Sequence, residues 1–476
     1  MNTSTSVKHL NTDEMLLLPE LLLLPTGPVR DYAVVIADGI FREVGPASKL
    51  IAENPALSPV RLDHHLLMPG FVDTHHHLTQ SFGKSMICGE PSEIFRRLWV
   101  PLEQHLDDES IYVASKLAAL ESLRGGFTTV CDAGTRASVD VGTVAAATQD
   151  VGLRTVLGYI CNDIAPDGSS LDYATVMHAA ERHLSRWDGG SLVHPSLAVS
   201  IPEAASQAVL RDTSLLAHEA GATYQVHLNE HLASVERSIE RWGLRPLEYM
   251  NSVGALGPQT LAAHATLLTP YELRLLEETD CAVSYNPVAS AWKGNAVAPA
   301  LHFAERSIRF GIGTDGTRSD GFRLLDIAEL AQRLAFGIQT GDSSCGGGWT
   351  WLHHATQGGA EAAGLGAVTG EIAVGKSADF LVLDWSVPEM QPSWDPSWEL
   401  VRYANRDQIM AVVVAGKLRL WEGWPVEWDA QAFMVEAQEV AHRVMAKAPV
   451  RRLHPTATEH QLLRQRSKAG TPSLVG

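Results

Sequence analysis

From about residue 80 the chain alternates between helical and strand patterns for nearly 300 residues, and this alternation restricts its fold more than any other feature. Apolar runs such as FTTVCDAG, LRTVLGYI, HPSLAVSI and ATYQVHLNE read as buried strands. Between them, stretches such as YVASKLAALESLRGG and SQAVLRDTSLLAHEAG carry apolar residues at helical spacing and stop at glycine. Counting from GFVDTHHH and adding TLAAHATLL, CAVSYNP and IRFGIGTDG, there are eight strands. Strands separated by helices pair in parallel, and eight units of about 30 residues predict an α/β fold, a (β/α)8 TIM barrel over residues 68–367. Its active site belongs at the C-terminal ends of the strands.

The flanks read differently. AVVIADGIFREVG before the barrel, and EIAVG, ADFLVLDW and IMAVVVAGKLRLWEG after it, are short strand patterns with glycine turns. They predict a small flanking β-sandwich built from both chain ends, residues 1–67 and 368–430. The insert QPSWDPSWELVRYANRD reads as a loop, and residues 431–476 as a helix with a frayed tail.

Composition narrows the partners. A net charge of −18 over 476 residues argues against nucleic-acid and anionic membrane surfaces, so the expected partner is a small molecule. MLLLPELLLLP contains a glutamate and two prolines and is too short to span a bilayer. The five cysteines are scattered without CxxC spacing and read as reduced thiols of a cytoplasmic protein.

The histidine run in MPGFVDTHHHLTQ ends the first barrel strand. Strand side chains alternate faces, so His75 and His77 share one face and His76 takes the other. Two imidazoles are half a metal site. The fifth strand ends in His227, three residues before Glu230, the sixth in His264 and the eighth in Asp315 between glycines. His227, Glu230 and His231 also spell HxxEH, a metalloprotease pattern that needs a helix where this chain reads as strand. A two-metal site would commonly take a carbamylated lysine from the fourth strand, and LAVSIPEAAS has none. The expectation is one divalent ion per chain, zinc with iron fitting the same set, held by His75, His77, His227 and Asp315. Asp315 also takes a proton from water, and His264 and Glu230 are unligated partners.

PGFVDTHHH, HLNE, AAH and GIGTDG, with VPLEQHLDDESIYVASKLAALESLRGGFTTV, RPLEYMNSVGALGPQTLAAHA and GEIAVGKSADFLVLD, resemble the amidohydrolase superfamily in its deaminase and chlorohydrolase branch. The resemblance covers about residues 30 to 430. THHHLTQ and ATQGGAEAAGLG are most similar to oxopurine deaminases and hydroxytriazine aminohydrolases. It implies a hydrolytic deaminase that removes an exocyclic amine from a heterocyclic substrate, often as a homodimer or larger homo-oligomer. Asp315 then takes the first proton, His264 orients the nucleophile, and Glu230, with a raised pKa, protonates a ring nitrogen. The alternatives are loss of chloride, a thioether or an amide from a related compound at the same site, and a silent scaffold serving as a binding module.

Gln80 offers a donor and an acceptor to a heterocycle edge, and Trp99 and Trp292 are candidates to stack on a planar ring. Arg318 is a candidate to meet an anionic or carbonyl group. Two departures from relatives, Ala289-Ser290 and Asp320, are expected at the substrate wall.

Overall fold

The computed structural model describes residues 10, 12–90, 94–165, 168–337 and 345–469; of the tail expected to be frayed, 464–469 instead belong to the helix Ala457–Ala469, and 470–476 lie outside the described residues. Eight strands, Phe71–His76, Phe127–Asp132, Arg154–Ile160, Val193–Val199, Tyr224–Leu228, Thr260–His264, Ala282–Tyr285 and Phe310–Ile312, pair in sequence order, each parallel to the next. This is the expected (β/α)8 barrel.

Closure between the last strand and the first falls at the histidine run. The Asp315 N–H donates to the His75 carbonyl at 2.8 Å. The fully buried Asp73 accepts from the Thr314 N–H at 2.9 Å, the Thr314 hydroxyl at 2.5 Å and the His75 N–H at 3.1 Å. Burial pushes the Asp73 carboxyl up to about 7, with Thr314 opposing. The strand that ends with His75 and His76, one residue before His77, is thus bonded to the loop carrying Asp315.

Local signals explain the helices. Asp107 caps Asp108–Arg124 by accepting from the Ser110 N–H at 2.9 Å, with Asp108 and Glu109 in the first turn. The helix ends at Gly125, before a barrel strand.

Both chain ends pair into the flanking unit, which hydrogen bonds as one nine-stranded sheet. The seam joins Pro59–Pro69 to Phe380–Asp384, antiparallel, with Leu67 opposite Val382. Phe41, Phe380, Leu17 and Val413 fill its apolar core. MLLLPELLLLP lies in the middle of this sheet as Glu14–Leu24. The insert expected as a loop contains a helix, Pro396–Arg402; Asp395 caps it, accepting from the Ser397 N–H at 3.0 Å, and Pro396 takes the first helical position, where its missing N–H costs nothing. No helix among the described residues is long and apolar enough to cross a membrane.

Candidate active site

At the barrel mouth the ligand atoms of His75, His77, His227 and Asp315 all lie within 4.8 Å of one another, and no other such group occurs among the described residues. Asp315 Oδ1 stands 3.4 Å from His75 Nε2 and 3.3 Å from His77 Nε2, and His227 Nε2 stands 3.3 Å from His77 Nε2. Two ligand atoms about 2.1 Å from one ion at a tetrahedral angle are about 3.4 Å apart, so these separations fit a single small ion. His75 Nε2 is buried without a hydrogen-bond partner, as an atom facing an ion would be. His227 Nδ1 donates to the Ser200 carbonyl at 2.7 Å, which leaves the Nε2 lone pair for the site. His76 turns away, with Nε2 3.2 Å from Ser319 Oγ.

The backbone reaches this arrangement through conformations that side-chain-bearing residues rarely adopt. Asn229, His264, Ala265 and Asp315 all have positive φ, at 49°, 75°, 45° and 56°. Such residues cost about 1–3 kcal/mol each and persist where their surroundings over-determine them. Asn229 donates to Glu272 at 2.6 Å and to the Leu267 carbonyl at 3.1 Å, and accepts from the Leu247 N–H at 3.2 Å. That left-handed step ends the strand, so residues 227–231 form no helix and the HxxEH alternative is excluded.

His264 is held from behind. Ser284 Oγ donates to Asn286 Oδ1 at 2.9 Å, which turns the Asn286 amide N–H toward His264 Nδ1 at 3.3 Å. The ring then carries its proton on Nε2, buried and 3.9 Å from Glu230 Oε1. Burial pushes the His264 pKa down to about 4, so the ring is neutral at pH 7.

Glu230 differs from expectation. Burial would raise its carboxyl, but the Lys293 ammonium, then His264 and His227, outweigh burial and hold it below the ordinary carboxylate range. Lys293 Nζ lies 3.0 Å from Glu230 Oε1 and 2.5 Å from Asp315 Oδ2. Asp315 therefore presents Oδ1 to the histidines and Oδ2 to the lysine. A resting, ionised Glu230 must receive its proton before it can donate one.

The site floors a cavity of about 1910 Å³. Gln80 and Trp99 line it; Gln80 Nε2 also donates to the buried Glu103 at 3.3 Å. Trp292 and Arg318 are not among its lining residues: Trp292 is 38% exposed, and Arg318 sits 3.7 Å from Asp320. Asp320 caps the helix Gly321–Gln332, and neither it nor Ala289-Ser290 lines the cavity, contrary to expectation. Of the lining residues that the sequence did not point to, two bear most directly on the site. Lys293 is one. The other is Arg136, whose guanidinium donates to Glu103 at 2.8 Å and to Ser200 Oγ at 3.3 Å and stacks on Phe95 at 4.3 Å. Its position four residues past the end of the second strand, Asp132, was the available signal.

A family model described as the amidohydrolase family matches residues 66–419. The 5-methylthioadenosine/S-adenosylhomocysteine deaminase of Syntrophobacter fumaroxidans is 28% identical over 418 residues, 87% of this chain and 92% of that protein. The 5'-deoxyadenosine deaminase of Methanothermobacter thermautotrophicus is 27% identical, over 90% of this chain and 98% of its own. Among solved structures, an adenosine deaminase from Xanthomonas campestris with bound zinc superimposes with a TM-score of 0.82 at 25% identity, covering 91% of this chain and 99% of that one.

Proposed function

Because the chain belongs to the amidohydrolase family, we propose that it is a hydrolytic deaminase, removing an exocyclic amine from a nitrogen heteroaromatic and releasing ammonia or an alkylamine. The observation that carries this reading is the set of Asp315, His264 and Glu230 around one four-ligand site. His75, His77, His227 and Asp315 would hold one divalent ion, which supplies acidified water as nucleophile when bound. The relative with bound zinc supports zinc over iron.

This chain's residues then divide the proton work. Asp315 takes a proton from the attacking water. His264, neutral with N–H on Nε2, donates a hydrogen bond to the nucleophilic oxygen and sets its line of approach. Glu230, ionised at rest, receives the proton and delivers it to a ring nitrogen as charge builds there; a second proton, released as the added hydroxyl becomes the product carbonyl, is taken up by Asp315 and reaches the departing amine with Glu230's help. A departing amine needs that proton and chloride does not, so Glu230 favours the deaminase over the chlorohydrolase alternative.

The relatives are named for adenosine-type substrates, which supports an aminopurine or a ring of similar edge. Gln80, Trp99 and Arg136 are the side chains we assign to the ring. The five free cysteines suit the cytoplasm, and light scattering reads the homo-oligomer that the resemblance implies.

The test is an ammonia-release screen of zinc-loaded protein over guanine, 8-oxoguanine, isoguanine, cytosine, pterins, amino-triazines and 5'-deoxyadenosine. Release from at least one is expected. Ammonia or amine from none, alongside chloride or thiol release from substituted analogues, overturns the reading.

A further inference from the structure

We propose that residues 451–454, near the end of the chain, form an outer wall of the substrate cavity, and that Leu453 there selects for substrates carrying an apolar substituent beyond the reacting ring. The inference rests on the deaminase reading and adds a determinant for the part of the substrate that does not react.

It begins at Glu90, whose side chain has no exposed surface. A buried carboxylate persists only with its charge matched and its oxygens bonded. Oε2 accepts from Arg97 at 2.7 Å and from the Leu453 N–H at 3.0 Å, and Oε1 accepts from the His454 N–H at 3.1 Å. Arg452 Nε lies 3.5 Å from Oε1. Burial would raise the carboxyl, but these donors hold it at about 2, so the clamp stays charged at working pH. A second link is main-chain: the Arg451 N–H donates to the Arg97 carbonyl at 2.9 Å, and the Arg97 guanidinium donates back to the Arg451 carbonyl at 3.3 Å.

The stretch so clamped bears on the site. On the other side of the clamp, Arg97 lies between the turn Ile94–Arg96 and the helix Trp99–Glu103, which give the cavity Phe95, beneath Arg136, and Trp99. Leu453 lines that same cavity and is 53% exposed. A single exposed leucine needs no explanation. This one has its own N–H and the next fastened to a buried carboxylate, so its place at the rim is fixed by the fold. Pockets for drug-sized ligands commonly hold about 300–1,000 Å³, and the cavity exceeds that, which leaves room for a substituent between floor and wall.

The experiment separates wall from floor. Paired probes differ only by an apolar group: adenine and 9-ethyladenine, guanine and 9-ethylguanine, and diaminotriazine and its N-isopropyl derivative. Their affinities are measured calorimetrically on zinc-loaded Glu230→Gln protein, where chemistry is suppressed, with and without Leu453→Ala. Leu453→Ala should weaken the substituted member of the pair that binds about tenfold, and its bare partner less than about twofold. Glu90→Gln should reproduce this selectivity and speed hydrogen exchange at the Leu453 and His454 amides. Equal weakening of both members, or of neither, overturns the proposal, as does faster exchange without selectivity. Failure of the deaminase reading shows separately, as parent protein that binds a pair and releases no amine from it.

Discussion

Two buried clusters of opposite charge sit at the two ends of the barrel, and they are built to different standards. At the N-terminal end Arg154, from the start of the third strand, meets Asp379, the residue before the flanking-sheet strand Phe380–Asp384, at 2.9 Å. Asp379 also accepts from Ser377 at 2.9 Å, Thr369 at 2.7 Å and the Ala415 N–H at 2.7 Å, so both oxygens are bonded. At the C-terminal end Lys293 faces Glu230 and Asp315, while the Nε2 atoms of His75 and His264 are buried without partners and four nearby residues have positive φ. A satisfied network fixes two layers together. An unsatisfied one keeps atoms available for ligands and protons, which is why stability and chemistry separate along a barrel axis.

The sharpest break of this comparison comes from the mouth. Glu230→Gln should lower turnover of an amino substrate by about two to four orders of magnitude. Metal analysis should still find one ion per chain, since Glu230 is outside the ligand group, and the unfolding midpoint should not fall. An undiminished rate would remove Glu230 from the proton path.

The bottom should respond in the opposite currency. Asp379→Ala leaves Arg154 buried without its carboxylate, which costs about 3–5 kcal/mol in urea unfolding at pH 7. Turnover per folded molecule should stay as it was. The pH dependence has a definite sign: Arg154 outweighs burial and lowers the Asp379 carboxyl below its ordinary value. Its contribution is therefore complete above the unfolded pKa of about 3.9 and is lost as pH falls through the lower folded value. Parent and variant should converge in acid.

Lys293→Met sharpens the distinction within the mouth. Without the ammonium, burial pushes the Glu230 carboxyl up, and the acid limb of the pH–rate profile should move to higher pH by about 1–3 units. One metal per chain should remain. A limb that stays in place would mean that the lysine only packs.

Lys293 also marks where sequence reading stops. The eight strands were legible, and so was the gathering of His75, His77, His227, Glu230, His264 and Asp315 at one end of the barrel, because burial periodicity locates strands and a barrel puts its chemistry at their ends. The faces of short elements were not. Trp292 and Lys293 are neighbours in the seven-residue helix Pro287–Lys293, too short for periodicity to choose which points inward. Pro19 argues against a strand through MLLLPELLLLP, yet the chain carries it where the pairing with Pro59–Pro69 shifts register, beside Leu21. The Leu453 wall depends on a contact across more than 350 positions, to which no local pattern points.

That same helix gives the smallest and most discriminating prediction. Trp99 and Trp292 both flank motifs near the mouth and carry the same ring, and sequence alone gave each the same role. In the fold Trp99 is 9% exposed and lines the cavity, whereas Trp292 is 38% exposed and does not. Truncating an aromatic that covers a bound ring costs about 1–3 kcal/mol, so Trp99→Ala should raise KM about five- to a hundredfold with a smaller change in kcat. Trp292→Ala removes a half-exposed ring from a helix surface and should change KM and kcat by less than about twofold. Arg318→Ala belongs with Trp292, since its guanidinium faces Asp320 and not the cavity. If Trp292→Ala instead matched Trp99→Ala, the helix Pro287–Lys293 would have to turn on binding substrate, and Lys293 would leave Glu230 with it. The acid limb in the Lys293→Met protein would then stay where it is in the parent, so the two measurements constrain each other.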